Sequence, residues 1–346
     1  MNRRTGITNI EILAGVLIVL AIIIGTVAVV RLDTTGEKGS GLGKEFIYDV
    51  KDLGKIDPNL ILYEETGAIG TGFKVARGIA VGFDGHVYVA GDKSIRVVFG
   101  SHWLPDDIKL ADMPRCLTVT GDGKIYVGMT EHVEVYDGRG KRLATWQSLG
   151  DDAVLTSIAV SKGDVFVADA GNRIVIHYDT AGNLINRIGA KDKDKNIPGF
   201  VVPSPYFDLA VARDGLLRVT NPGRHRIEAY TFDGDLEFWW GKFSSNVEGF
   251  CGCCNPVNFA ILDDESFVTC EKGLIRVKIY DPDGAFVRVV AGPEQLVEGG
   301  TARIDEWASE GKAGGFDVAV DAAGRIFVLD TIKNVVRIFT KIKAGK

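Results

Sequence analysis

"TSIAVSKGDVFVADAGNRIVIHYDTAGN", residues 156–183, decides the fold. It divides into an apolar run, a tight turn and a second apolar run. A loop of Asp, Asn and Gly follows, then a third run and another turn. Runs this short, rich in Val, Ile and Phe and bounded by Gly and Asp, are strands and not helices. Five more copies flank it. "RGIAVGFDGHVYVAGDKSIRVV" (77–98) and "RCLTVTGDGKIYVGMTEHVEVYD" (115–137) precede it. "FDLAVARDGLLRVTNPGRHRIEAYTFDGD" (207–235), "VNFAILDDESFVTCEKGLIRVKIYDPDGA" (257–285) and "FDVAVDAAGRIFVLDTIKNVVRIF" (316–339) follow it. A fourth strand after each copy is less distinct. Four-stranded units repeating at this length are blades of a propeller.

Within this set, "FVADAGNRIVIHYDTAGN" (166–183) resembles the NHL-repeat family, and the likeness extends over most of the chain. The resemblance implies an all-β, six-bladed NHL-type propeller. It says little about activity, because relatives serve as lyases, sensors and scaffolds. The sixth copy ends after its third strand, "VVRIF" (335–339), while "NLILYEE" (59–65) has no blade of its own. That segment is expected to supply the outer strand of blade six beside Val335–Thr340, removing an open edge.

The 346-residue chain needs no staples for its core, and its net charge of −6 is carried by interspersed acids and bases. No basic stripe points to nucleic acid. Ile12 to Val30 is free of charge and long enough to cross a bilayer. The expected organisation is therefore a basic tail (1–11), a transmembrane signal anchor (12–31), a linker (32–58) and the propeller (59–346). A short basic tail before a first span stays inside. This places a single-pass protein in the inner (cytoplasmic) membrane, with its propeller extracytoplasmic, or periplasmic. "MNRRTG" followed by "ITNIEIL" also resembles a type IV prepilin leader, although Ile7 stands where Phe or Met is usual; a plain signal anchor is the preferred reading.

Taking the first strand as innermost aligns Gly78, Cys116, Ser157, Asp208, Asn258 and Asp317, at intervals of 38, 41, 51, 50 and 59 residues. The extra residues lie in inter-blade loops 191–206, 242–256 and 292–315, which topology gathers on one face. Three of the five cysteines, Cys251, Cys253 and Cys254, fall in one of these loops, within "FCGCCNP" (250–256). Hairpin pairing sets Cys270 opposite Phe259, at the end of blade five where that loop arrives. Four converging thiolates suit zinc or an iron–sulfur cluster, although C-x-C-C-x15-C follows no common spacing for either. Loop-pinning disulfides, with three possible connectivities, and a free reactive dithiol are the other readings. Glu271 and Lys272 are candidate cofactor contacts. Glu271 also stands where Asp169 and Asp330 serve as turn carboxylates, and Lys272 is also readable as a solvated side chain. Asp208, Asn258 and Asp317 form a ring of oxygen ligands open to Ca²⁺ in the central channel. Arg77 and Arg115 are candidates for an anion at the rim, and Cys116 is expected to line the channel.

No G-x-S-x-G or H-E-x-x-H occurs, and no catalytic residue is identified. NHL relatives that act as amidating lyases place several histidines around a metal. Only His132 and His225 could reach the loop face, two blades apart. "GCCNPVNFAI…EKGLIRVKIY" resembles a motif of bacterial NHL proteins that accompany membrane redox modules. A redox or electron-transfer accessory with a metal-binding, iron–sulfur site is therefore the leading reading. A scaffold binding a protein partner at the loop face, with disulfide staples, and a metal-dependent lyase or hydrolase are the alternatives.

Overall fold

The computed structural model describes residues 9–31, 50–100, 102–194, 197–300 and 314–342. The proposed prepilin leader, most of the linker and the middle of the blade-six loop lie outside these residues. Two compact units result, one ending at Asp49 and one beginning at Val50. The first contributes a helix, Asn9–Arg31. Among the described residues, no helix is long and apolar enough to cross a membrane.

The second unit consists of six antiparallel sheets. Their inner strands are Ala76–Val81, Cys116–Val119, Leu155–Ser161, Leu209–Val211, Asn258–Ile261 and Asp317–Val320. Each inner strand packs against the inner strands of the two neighbouring blades, so the ring is closed. Second strands such as Val87–Gly91, Ile125–Gly128 and Leu217–Asn221 are buried along their whole length. Val87–Gly91 and Ile125–Gly128 read as unbroken apolar runs because both faces meet a neighbouring blade, whereas Leu217–Asn221 buries Arg218, Thr220 and Asn221 with polar partners. Outer strands such as Arg142–Thr145 are mostly exposed. The outer strand of blade one is split in two, His102–Trp103 and Ile108–Lys109, both paired to Ser94–Phe99.

The core is six seams between adjacent blades, not one central mass. Tyr88, Ile95, Leu117 and Val127 fill the seam of blades one and two, and Val268, Val277, Val318 and Val328 that of five and six. The seam between four and five is aromatic, built from Trp240, Phe250, Phe259, Phe267 and Tyr280. Its ring centroids lie as close as 4.9 Å, the spacing at which offset aromatic pairs attract. This aromatic block underlies the cysteine loop.

The ring closes through the N-terminal side, as expected, but with shifted boundaries. The outer strand of blade six is Tyr63–Gly70, antiparallel to Val335–Lys341 in the register Tyr63↔Lys341 to Gly70↔Val335. Of the expected 59–65, only Tyr63–Glu65 belongs to the strand. Pro58–Leu60 form a 3-10 turn, because Asp57 accepts the Asn59 amide and Pro58 favours a first helical position.

At the aligned inner-strand position the side chains act as circumferential stitches. Ser157 Oγ meets the Leu209 backbone, and Asp208 Oδ2 accepts from Phe259 N at 2.7 Å. Asn258 Nδ2 donates to Phe316 O at 2.8 Å, and Asp317 Oδ2 accepts from Ile79 N at 2.9 Å. Each residue thus ties its blade to the next. The two remaining junctions use close packing instead. A Cβ on Gly78 would come within 3.2 Å of the Cys116 Cα in blade two, and one on Gly128 within 3.5 Å of Leu155 and Ile158 in blade three. Cys116 is accordingly buried between blades two and three and does not line an open channel.

Burial raises both stitching carboxyls, Asp208 to about 6 and Asp317 to about 7, and for Asp317 the charge of Asp208 adds to the effect. Both values lie above the unfolded reference of ~3.9. Between about pH 4 and about pH 7 the native state therefore holds protons that the unfolded chain has released. These groups stabilise the ring fully below about pH 4, and their contribution is lost as pH rises to about 7. Asp317→Asn is expected to flatten that decline, read as denaturation midpoints at pH 5 and pH 7.5. An unchanged difference between the two midpoints would show that Asp317 titrates normally.

Candidate functional site: the blade-five thiol loop

A repeated anchoring device explains how the cysteine loop is held. The residue ending the second strand, or just after it, accepts the amide of the loop arriving at the same blade. Asp92 accepts Lys74 N and Val75 N, Asp169 accepts Val154 N, and Asn221 accepts Val201 N. In blade five, Glu271 Oε1 accepts Cys251 N at 2.8 Å. Both Glu271 oxygens are engaged, since Arg276 Nε approaches Oε2 at 2.6 Å and Lys278 Nζ at 3.0 Å. Glu271 is thus a buried loop anchor, matching the turn-carboxylate reading, and has no free oxygen facing a cofactor.

The loop is fastened by three further side chains. Lys278 Nζ donates to Gly249 O at 2.6 Å and Val247 O at 3.1 Å. His225 Nε2, from the blade-four loop, donates to Gly252 O at 2.6 Å. Asn255 Nδ2 donates to the Cys251 and Lys272 carbonyls, and Asn255 Oδ1 accepts Lys272 N at 2.8 Å. Asn255 thereby folds the loop back onto the end of the Phe267–Cys270 strand. Asn255-Pro256 is legible in the sequence as a turn that folds the loop back, but the hydrogen bonds of Asn255 and the part played by His225 are not, because their partners are backbone carbonyls and amides from 4 to 27 positions away.

Two thiols converge. Cys253 Sγ and Cys254 Sγ are 3.2 Å apart. Lys272 Nζ donates to Ser204 Oγ at 3.0 Å, and Ser204 Oγ donates to Cys254 Sγ at 3.3 Å. The Lys272 ammonium also sits over the Tyr206 ring, 5.1 Å from its centroid. Burial opposes ionisation of Cys254, but the hydrogen bonds from Ser204, Lys272 and Cys253 outweigh it and hold this thiol below its ordinary range. Cys253 is pushed up, first by its hydrogen bond to Cys254 and then by burial. The pair is therefore asymmetric, with Cys254 the readier thiolate. Lys272, expected as a cofactor contact, serves the thiol.

Beneath the loop lies an excess of buried positive charge. Blade four has Asn221, Arg226 and Glu228 at the positions that Glu271, Arg276 and Lys278 hold in blade five. There Glu228 accepts from Arg226 Nε at 2.7 Å, Asn221 Nδ2 at 2.9 Å and Tyr230 OH at 2.6 Å. That blade-four group is neutral overall, one arginine against one glutamate. The blade-five group has two cations against one carboxylate, all essentially fully buried. Burial pushes the Lys278 ammonium down to about 8 although Glu271 opposes the shift.

The structure separates Cys270 from this pair. It pairs with Asn258 and not Phe259, one residue from the expected register. Its fully buried thiol is driven well above the ordinary range by burial, then by Asp317, Asp208 and Glu271. Among the described residues, no group of three or more His, Cys, Asp or Glu side chains is placed to hold a metal. The arrangement offers two converging thiols, not the four that zinc or an iron–sulfur cluster takes, so the fit to such a centre is poor. All five cysteines are unbridged. The Asp208–Asn258–Asp317 ring directs polar atoms at backbone amides and carbonyls of adjacent blades, which likewise fits poorly with a Ca²⁺ cage.

Histidines are committed elsewhere. His177 Nε2 meets Asp164 at 2.7 Å, His86 meets Asp84 at 2.9 Å, and His225 holds the thiol loop. Arg77 and Arg115 are brought together, with Asn258 and Asp317, around a cavity of about 250 Å³ at the mouth of the axis.

No protein-family model matches the sequence, and no curated protein matches it. Solved structures do. A streptogramin B lyase superposes with a TM-score of 0.56 at 12% identity, covering 81% of this chain and 98% of the other. Virginiamycin B lyase from Staphylococcus aureus gives 0.55 at 13%, covering 81% and 100%. The WD40 propeller domain of Doa1 gives 0.54 at 15%, covering 82% and 98%. At such identities the likeness shows the β-propeller fold and nothing of the chemistry.

Proposed function

We propose that this chain is a membrane-anchored, NHL-type propeller whose blade-five loop is a thiol redox site facing outside the cytoplasm. One observation carries the reading: the Cys253–Cys254 sulfurs lie 3.2 Å apart, with Cys254 bonded to Ser204 and Ser204 to Lys272. Anchoring rests on the uncharged run Ile12–Val30, whose length matches a bilayer core.

The exchange follows thiol–disulfide chemistry. The exposed Cys253 gives its proton to the buried Cys254 thiolate 3.2 Å away and attacks a disulfide on a partner protein, forming a mixed disulfide and expelling one partner thiolate. Cys254 then gives that proton to solvent and attacks the Cys253 sulfur, expelling the second partner thiolate. The loop is left as a Cys253–Cys254 disulfide, two electrons having passed to the partner. An adjacent-residue disulfide is strained, so the oxidised loop is readily reduced again.

A membrane-impermeant maleimide added to intact spheroplasts is expected to label the loop pair at the exposed Cys253, and on the order of tenfold more slowly in Lys272→Ala, which weakens the Cys254 thiolate as its base. Pre-oxidation with oxidised glutathione should abolish labelling at both loop positions, and dithiothreitol should restore it. Labelling only after lysis would reverse the orientation. Equal rates in wild type and Lys272→Ala, or stoichiometric iron or zinc in anaerobically purified protein, would overturn the thiol reading.

A further inference from the structure

The cavity at the mouth of the axis is built by all six blades. Arg77, Arg115, Tyr206, Asn258 and Asp317 supply its polar wall, and Val75, Ala76, Leu155 and Pro205 its apolar one. Two cations open into it, and the one carboxyl in its wall, Asp317, is turned to the Ile79 and Val318 amides and makes an ion pair with neither. Among the described residues neither Arg77 nor Arg115 makes an ion pair, and Arg115 Nε is buried with no hydrogen-bond partner. A buried, unpaired guanidinium N–H is costly to maintain. Burial, and then the charge of Arg77, depress the Arg115 guanidinium, so the two cations feel one another. Elsewhere the fold pairs its buried cations, as Arg276 does with Glu271 and Arg226 with Glu228. The axial pair is therefore an exception that an incoming anion would correct.

The opposite wall restricts which anion. The Asp317 carboxyl accepts Ile79 N and Val318 N, and carboxylate oxygens keep lone pairs for further donors. Tyr206 OH accepts Gly315 N at 3.0 Å, leaving its proton to donate into the cavity. An inorganic dianion would meet Asp317 as a like charge. We propose that this cavity binds a small organic carboxylate, its carboxylate on the Arg77–Arg115 guanidinia and a hydroxyl or ammonium donor turned towards Asp317. The forked geometry of arginine suits a carboxylate, and the apolar wall suits a short carbon skeleton. Neither loop sulfur nor Lys272 lines this cavity, although Tyr206 belongs to its wall and also lies under the Lys272 ammonium.

Calorimetric titration of the full-length protein in detergent tests this, with lactate, alanine and inorganic phosphate as probes. Lactate or alanine is expected to bind, with phosphate at least tenfold weaker. Arg115→Gln should weaken the organic acid by on the order of tenfold or more, the loss of a charge-assisted hydrogen bond. Asp317→Asn should reduce the preference for the donor-bearing acids over propionate, which lacks the donor. Thermal unfolding checks that each variant folds, and Arg77→Gln provides a second variant at an exposed position. Phosphate binding as tightly as the acids, no heat from any probe at millimolar concentration, or wild-type affinity in both arginine variants would overturn the proposal. Maleimide labelling of the loop thiols should be unchanged in the arginine variants, so failure here leaves the thiol reading standing.

Discussion

Glu271→Ala is expected to destabilise the propeller by about 3–5 kcal/mol, the cost of breaking a buried ion pair by removing one partner. The carboxylate is fully buried and is the counter-charge of two buried cations, Arg276 and Lys278. Its removal also orphans the Cys251 amide, whose acceptor it is. A domain of this size carries about 5–15 kcal/mol in total, so the melting temperature should fall by on the order of 10 °C. Blade four suggests the rescue. Glu271→Asn combined with Lys278→Glu copies its Asn221–Arg226–Glu228 pattern and gives Arg276 a carboxylate again. That double variant should recover much of the lost stability. It should not recover the loop, because Lys278 no longer reaches the Gly249 and Val247 carbonyls. The measurements are denaturation midpoints and maleimide labelling rates on the same samples. A Glu271→Ala midpoint within error of wild type would show that the buried cations have another partner.

This network also marks where sequence reading stopped. The six repeats were legible because strand periodicity and turn chemistry are local properties, visible in stretches such as 156–183. Ring closure was legible from a strand left without a blade, and only its boundaries shifted when Pro58 and Asp57 made a turn of Pro58–Leu60. "GLIRVKIY" (273–280) was harder, because alternation of apolar and charged residues normally marks a strand with one wet face. Here Arg276 and Lys278 point inward to a carboxylate supplied by the preceding strand and to carbonyls of the incoming loop. Hairpin topology brought Cys270 to the correct end of blade five, but a one-residue difference in register moves a side chain to the other face of a strand. That difference accompanies its separation from the loop thiols and leaves its buried sulfur under the influence of Asp208 and Asp317 near the axis.

The second large effect is expected at the closure. A chain beginning at Thr71 should lose cooperative unfolding or associate through its open edge, whereas one beginning at Val50 should behave as the intact propeller unit. Tyr63–Gly70 is the outer strand of blade six, hydrogen-bonded along Val335–Lys341. Its removal strips the ladder from a seven-residue strand and leaves an unpaired edge, a template for another chain. It also removes the Tyr63 ring from the seam of blades five and six, and the Glu65 partner of Arg337. Burial of an aromatic side chain is worth about 1.5–3 kcal/mol. The ladder and the packing of Ile69 against the seam of blades six and one add to this. The sum is comparable with the stability of a whole domain. The consequence extends past blade six because the ring has no central core. Each blade is held by its two seams, so a blade that loosens unsupports both neighbours. Urea unfolding followed by tryptophan fluorescence, with size-exclusion chromatography, separates the outcomes. A monomeric chain beginning at Thr71 with an unchanged midpoint would mean that the other five seams hold the ring closed without its outer strand.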